Sequence, residues 1–414
     1  MVSRLIIALL LTVALTMSGI TAAFAAGDPV YGDEDNPAQA AITKRLWMPE
    51  GTNTPGASFS FTIAKKSYNG ATDSTALAQI PAISEKTLTF TAGAPGTVTA
   101  GVKEVYLETG DLFDGIVFPS AGVYAYTVTE KANTYTIADA TKESMTYSSG
   151  SYDLVVYVKD GDDGTYIYAI AAIINVKDTE GQQVGDKVDP TPGDVNIDGD
   201  YSDMVFTNIY IKSHGGTDPE DPGHQALKIS KAVAGEFASQ DLYFPISVTV
   251  TQPALVTGTS VYRGYVVDAD NNVVTSAANG AGAHIDGYYE FTSGTARTIS
   301  LKHGQKLVFI DTHVGTTYVA AEAATVDYTA SVSIIVDGGT PIALANPTAN
   351  TALSTQIRIL GENPNSTAFT NTFKSVTPTG LDISNLPFIV LLSVSALGLV
   401  ALVAGKRRDR EDIA

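Results

Sequence analysis

The sequence predicts an all-β protein of two tandem β-sandwich domains, flanked by a cleaved signal peptide and a C-terminal transmembrane helix. Three observations predict it. Between its ends the chain consists of short runs in which polar and apolar residues alternate, as in Ser58-Phe59-Ser60-Phe61-Thr62-Ile63, bounded by Gly, Asp, Asn or Pro. Alternation of period two marks half-buried strands. No long stretch with helical period lies between the termini. Three short motifs also recur in the same order, 163 to 192 residues apart, which indicates a duplicated domain and not a short-repeat solenoid.

Residues 1–26 read as a signal peptide. Met1 to Arg4 gives a basic start, an apolar run follows, and Ala23, Ala25 and Ala26 place small residues where signal peptidase cuts. Residues 27–39 are acidic and turn-rich, a flexible leader. The first sandwich spans 40–212, with strands expected near 58–63, 86–91, 123–128, 152–158 and 166–174. Gly, Pro and Asp mark 213–225 as a linker. The second sandwich spans 226–374, with strands expected near 227–233, 243–250, 261–267, 288–292, 306–310, 328–336 and 355–359. Residues 375–385 carry a short motif and a spacer. Residues 386–405 hold no charge and are long enough to cross a bilayer. Lys406, Arg407, Arg408 and Arg410 follow within a tail, 406–414, that stays cytoplasmic and leaves both sandwiches outside.

Composition excludes several classes of function. The chain has 44 acidic against 25 basic residues, a net charge of −19, which repels phosphate backbones and excludes nucleic acid as a partner. It has no cysteine, so an exported domain must be braced by something other than a disulfide. There is no nucleophile elbow, phosphate loop or zinc signature, so no enzyme activity, cofactor or metal is expected. Asp194 to Asp200 resembles the start of a calcium loop, but Val205 stands at the twelfth position where a carboxylate is required, so it reads as an acidic turn. Asp311-Thr312-His313 supplies too few ligands for a metal. Asp160 to Gly164 reads as a hairpin turn, and Trp47 as core or near-core packing.

The recurring motifs carry the chemistry. Ile42-Thr43-Lys44 is echoed by Ile229-Ser230-Lys231, Tyr126-Thr127-Val128-Thr129-Glu130 by Tyr318-Val319-Ala320-Ala321-Glu322, and Val205-Phe206-Thr207-Asn208 by Ala368-Phe369-Thr370-Asn371. Strand alternation puts each Lys, Glu and Asn on a face otherwise apolar and aromatic, which should be the core face. Burial lowers a lysine pKa and raises a glutamate pKa. A neutral amine is a nucleophile. A protonated carboxyl beside it can polarise the asparagine carboxamide and shuttle protons, so that attack expels ammonia and leaves a Lys–Asn amide. Fixed proximity supplies the effective concentration. Two blander arrangements fit the same residues: lysines pointing to water with asparagines ending strands, or buried ion pairs that never react.

These motifs, with Leu301-Lys302-His303-Gly304-Gln305 and Val314-Gly315-Thr316-Thr317-Tyr318, resemble the streptococcal pilin-type isopeptide-linkage domains of Gram-positive surface proteins. The resemblance covers most of the exterior. It implies immunoglobulin-like or collagen-adhesin B-type sandwiches, with cross-links Lys44–Asn208 and Lys231–Asn371 assisted by Glu130 and Glu322. The motif around Glu322 lacks the threonine spacing of the one around Glu130. Val376-Thr377-Pro378-Thr379-Gly380, ahead of the apolar span and basic tail, looks like a sortase substrate of the pilin-subunit variety, although its proline falls one place later than in Leu-Pro-x-Thr-Gly. By that analogy the bond between Thr379 and Gly380 is cut and Thr379 is passed to an amine.

The function expected is that of a pilin-like subunit or wall-anchored stalk of a Gram-positive-type surface, with autocatalytic cross-linking its only chemistry. Its partners are sortase and either peptidoglycan or neighbouring subunits. Polymerisation needs a receiving lysine, for which Lys187 and Lys212, in loop-like sequence, are the candidates. The alternative is a wall-anchored adhesin that binds a host protein or glycan through second-domain loops, such as 268–287. A surface hydrolase is disfavoured because no paired-carboxylate or nucleophile constellation appears.

Overall fold

A computed structural model describes residues 30–179, 181–193, 200–346 and 348–374. The signal peptide with Ala23, Ala25 and Ala26, most of the acidic turn after Asp194, the motif Pro378-Thr379-Gly380, the apolar span and the basic tail lie outside the described residues.

The described residues form two immunoglobulin-like β-sandwiches in tandem, each of two facing sheets. Local sequence explains the strands. In Ala57–Tyr68, Phe59, Phe61 and Ile63 are buried, while Ser58 and Ser60 on the other face meet Thr89 and Thr87 of Lys86–Phe90 through hydroxyl contacts of 2.8 and 2.9 Å. In Phe244–Thr251, Ile246, Val248 and Val250 face inward. The inward faces form a core in each sandwich, with Phe59, Phe61, Tyr126, Tyr152 and Phe206 in the first and Ile229, Ile246, Phe291, Phe309 and Phe369 in the second. Gly161 to Gly164 closes the hairpin between Ser151–Asp160 and Thr165–Val176. A short helix, Ser74–Ala78, starts where the Asp73 carboxylate accepts the amides of Thr75 and Ala76.

In both sandwiches the last strand lies side by side with, and parallel to, the lysine-bearing strand near the start of the domain. In the first, Thr43–Pro49 pairs with Val205–His214, with Lys44 opposite Phe206 and Asn208 opposite Leu46. In the second, Gln225–Ala234 pairs with Ser366–Phe373, with Lys231 opposite Phe369 and Asn371 opposite Val233. The lysine-bearing strand and the closing strand of each sandwich are thus neighbours that run the same way.

Four expectations need correction. Residues 30–38 are not a free leader: Val30–Tyr31 pairs with Thr165–Val176, Gly32 donates to the Tyr168 carbonyl, and Ala38 is buried. The linker is shorter than 213–225, because the strand Val205–His214 runs on and pairs Ser213 and His214 with His313 and Thr312 of the second domain. Lys212 is not in a loop. It lies in that strand, half-buried, its Nζ 2.7 Å from Glu362 Oε2, while Glu362 Oε1 accepts the amide of Asn53 at 2.7 Å. Lys187 lies in the two-residue strand Lys187–Val188 and is exposed. The expected run 355–359 is broken into Leu353–Ser354 and Arg358–Ile359 by Gln356, whose φ is +61°. Gly315 lets the domains meet closely: at φ +83°, a Cβ there would come within 2.5 Å of Pro49 Cβ.

The two lysines should therefore differ in reactivity. Brief treatment of the folded protein with an amine-reactive ester is expected to label Lys187 readily and Lys212 poorly, read by peptide mapping. Equal labelling would refute the ion-paired placement of Lys212.

Candidate functional site

Each site is built from three strands. The lysine and asparagine strands are the parallel neighbours just described, so Lys44 and Asn208, and likewise Lys231 and Asn371, stand two register positions apart on one face of one sheet. The glutamate comes from the opposite sheet: Glu130 ends Gly122–Glu130 and Glu322 ends Thr317–Glu322. The acid therefore reaches across the core towards the two strands.

In the first domain the three side chains meet. Lys44 Nζ lies 2.8 Å from Glu130 Oε2, and Asn208 Nδ2 donates to Glu130 Oε1 at 2.7 Å. Lys44 Nζ also donates to the Phe206 carbonyl at 3.1 Å. The side chains of Lys44 and Glu130 are wholly buried. Burial pushes the Lys44 amine down to about 8 against the opposing pull of Glu130, and burial pushes the Glu130 carboxyl up. The Phe59 ring lies 4.8 Å from Lys44 Nζ and offers its π-face to whatever charge the amine retains.

The second domain repeats part of this. Lys231 Nζ is 2.6 Å from Glu322 Oε2, both side chains are fully buried, and the Phe244 ring lies 4.1 Å from Nζ. Burial pushes Lys231 down to about 8. Asn371 is buried on the adjacent strand, but its Oδ1 and Glu322 Oε1 have no hydrogen-bond partner among the described residues. Two buried acceptors without donors are costly, of order 1–3 kcal/mol each.

The Glu130 carboxyl meets the nitrogen of the Asn208 amide and not its carbonyl; that oxygen accepts the backbone N–H of Ser148 at 2.7 Å. A backbone N–H can only donate, so the oxygen must be the atom that faces it. Sequence reasoning also missed Phe59 and Phe244. Their signal was present, since each is a core-facing aromatic in the strand after its lysine. Ser148 and Asp178, whose carboxylate holds the Ser148 hydroxyl, carried no signal because they occur once and act through a backbone group and a turn. No group of three metal-ligating side chains occurs among the described residues. Trp47 is half-buried with the Arg45 guanidinium 4.4 Å above its ring.

Each sandwich thus holds a buried Lys–Glu pair beside two parallel neighbouring strands. Residues 40–211 match the family described as Spy0128-like isopeptide containing domain, and residues 225–372 match a domain of unknown function (DUF7601). Among solved structures, the major pilin from Streptococcus pyogenes is similar at 18% identity over 82% of this chain and 100% of that one, with a TM-score of 0.31. The major pilin protein T3.2 of the same organism is similar at 17% identity over 81% of this chain and 99% of that one, with a TM-score of 0.29. No curated protein matches the chain.

Proposed function

We propose that the protein is a structural subunit of a Gram-positive-type surface, a pilin or wall-anchored stalk, braced by Lys44–Asn208 and Lys231–Asn371 amide bonds and attached by sortase at Thr379. The observation that carries this reading is the Glu130 carboxyl held between the Lys44 amine and the Asn208 amide, which stand on two parallel neighbouring strands at the start and the end of the domain. The reactive form is neutral Lys44 beside protonated Glu130. Attack of Nζ on the Asn208 carboxamide carbon gives a tetrahedral intermediate. Nζ passes one proton to Glu130 Oε2, Oε1 passes one to Nδ2, and ammonia leaves. Glu130 ends protonated, as it began, and the buried charge pair is replaced by a neutral amide.

A bond at that place suits a load-bearing role. Tension entering along Thr43–Pro49 and leaving along Val205–His214 would pass through the cross-link and not through the sheets. The strand Val205–His214 continues into contact with the second domain, so the two bonds stand in series. The adhesin reading has less support at 268–287, because Asn279 in that segment is buried and donates to Ser300 O and Gln305 Oε1 at 2.7 and 2.8 Å, which ties the segment to the sandwich.

The intact mass of the purified exterior is expected about 34 Da below the value calculated from sequence, since each bond removes one ammonia, about 17 Da. Glu130→Ala and Glu322→Ala should each restore about 17 Da. A wild-type mass equal to the calculated one would refute cross-linking. Sortase-dependent ladders of SDS-resistant species in wall extracts would support a polymer, and a single wall-linked band the stalk.

A further inference from the structure

The reaction just described develops negative charge on Asn208 Oδ1, and the first domain already holds a donor there. We propose that the backbone N–H of Ser148 is the oxyanion donor for bond formation in the first domain, and that Asp178 is a positioning residue that holds it in place. The inference rests on the cross-linking reading above and adds to it the group that stabilises the intermediate.

The donor exists because a strand stops early. Glu143–Thr146 pairs antiparallel with the asparagine strand, and the ladder ends at Thr146 opposite Ile209. The chain then leaves the sheet, passes Asn208, and enters Ser151–Asp160 of the facing sheet. The Ser148 amide has no ladder partner and turns instead to Asn208 Oδ1 at 2.7 Å. In the second domain the corresponding neighbour, Tyr328–Ile335, stays in register past Asn371, which faces Ala330, and on to Phe373. Its amides are committed to the sheet, and Asn371 Oδ1 is left without a donor among the described residues.

The crossover segment is fixed from behind. The Ser148 hydroxyl donates to Asp178 Oδ1 and accepts the amide of Gly150 at 3.0 Å. Asp178 Oδ1 also accepts the amide of Thr207, next to Asn208, at 2.8 Å. One carboxylate oxygen therefore ties the donor segment to the strand that carries the reacting amide. A Cβ at residue 150 would lie 3.0 Å from Ser148 Oγ and 3.1 Å from Asp178 Cβ, so glycine allows the close approach. As Nζ adds to the carbon, the Oδ1 charge grows against a donor that needs no reorganisation. Removing one such donor typically slows acyl transfer about 10²–10³-fold.

The test follows both cross-linked peptide pairs by mass spectrometry during cell-free synthesis of the full chain, with the second domain as internal reference. Replacing Ser148 by its α-hydroxy analogue exchanges the N–H for an ester oxygen and removes the donor while keeping the side chain. The Lys44–Asn208 pair is expected to appear about 10²-fold more slowly, with the Lys231–Asn371 pair unchanged. Asp178→Ala should slow the first-domain pair as well. Asp178→Asn, which keeps an acceptor oxygen for Ser148 and Thr207, should restore most of the rate. An unchanged first-domain rate in the α-hydroxy chain overturns the donor, and equal slowing by Asp178→Ala and Asp178→Asn overturns positioning through hydrogen bonds. Absence of both cross-linked pairs from the unmodified chain would instead overturn the cross-linking reading.

Discussion

Pulled between its ends, the wild-type exterior is expected to give no extension step from the residues enclosed by either bond, whereas Asn208→Ala releases the first domain in one long step. Lys44 and Phe206 are 162 residues apart in sequence yet in hydrogen-bond contact. Without a covalent tie, the force acts on two parallel neighbours and shears hydrogen bonds. Once they part, nothing prevents the enclosed chain from extending by about 3.3–3.6 Å per residue, on the order of 550 Å for the domain. With the amide in place the loaded path runs from Lys44 directly to Asn208, and the enclosed residues carry no tension. The contrast is therefore all-or-none. Asn371→Ala should release the second domain in the same way and leave the first closed. Single-molecule force spectroscopy on the tandem reads both, and a long step from wild-type protein would sink the load-path argument. Such a bond would also limit the unfolded chain: closing a loop of this size stabilises by about 5 kcal/mol in the chain-entropy model.

Much of this architecture was legible in the chain because strand alternation and motif recurrence report directly on burial. Runs such as 261–267 and 288–292 coincide with observed strands. Lys44, Lys231, Asn208 and Asn371 could be placed on core faces because their neighbours at i±2 are apolar. What stayed hidden depends on contacts between distant segments. The short strands Glu143–Thr146 and Thr97–Thr99 have mixed or exposed faces and no apolar period to announce them. Residues 30–38 read as a leader because their composition is that of a turn, yet the edge of a sheet accepts a two-residue strand there. Lys212 looked like loop because Gly and Pro follow it, whereas its partner Glu362 lies 150 residues away. Ser148 contributes a backbone amide, which every residue except proline has, so no residue type could single it out.

The rate of bond formation in the first domain is expected to pass through a plateau near neutral pH and to fall about tenfold per pH unit above about 8. Neutral Lys44 with protonated Glu130 holds the same number of protons as the ion pair, so its share of the one-proton-shared state does not depend on pH. The rate then tracks that state alone. Above about 8, where burial has set the lysine, the pair loses its last proton and Glu130 has none to give to ammonia. On the acid side the pair gains a second proton, the amine is charged, and the rate falls again at a pH set by a carboxyl that burial raises above its usual 4.5. Stability before the bond closes has its own sign. The unfolded lysine keeps its proton up to 10.5 and the folded one releases it near 8, so between those values the unfolded chain binds more protons and the fold gains stability as pH rises. The two effects oppose each other between about 8 and 10.5: the uncross-linked domain becomes more stable while its reaction slows. A free amine acting alone would instead react faster with rising pH until fully neutral. Following the loss of about 17 Da across pH 5 to 10 separates the two, and a rate that keeps rising past pH 8 would remove Glu130 from the mechanism.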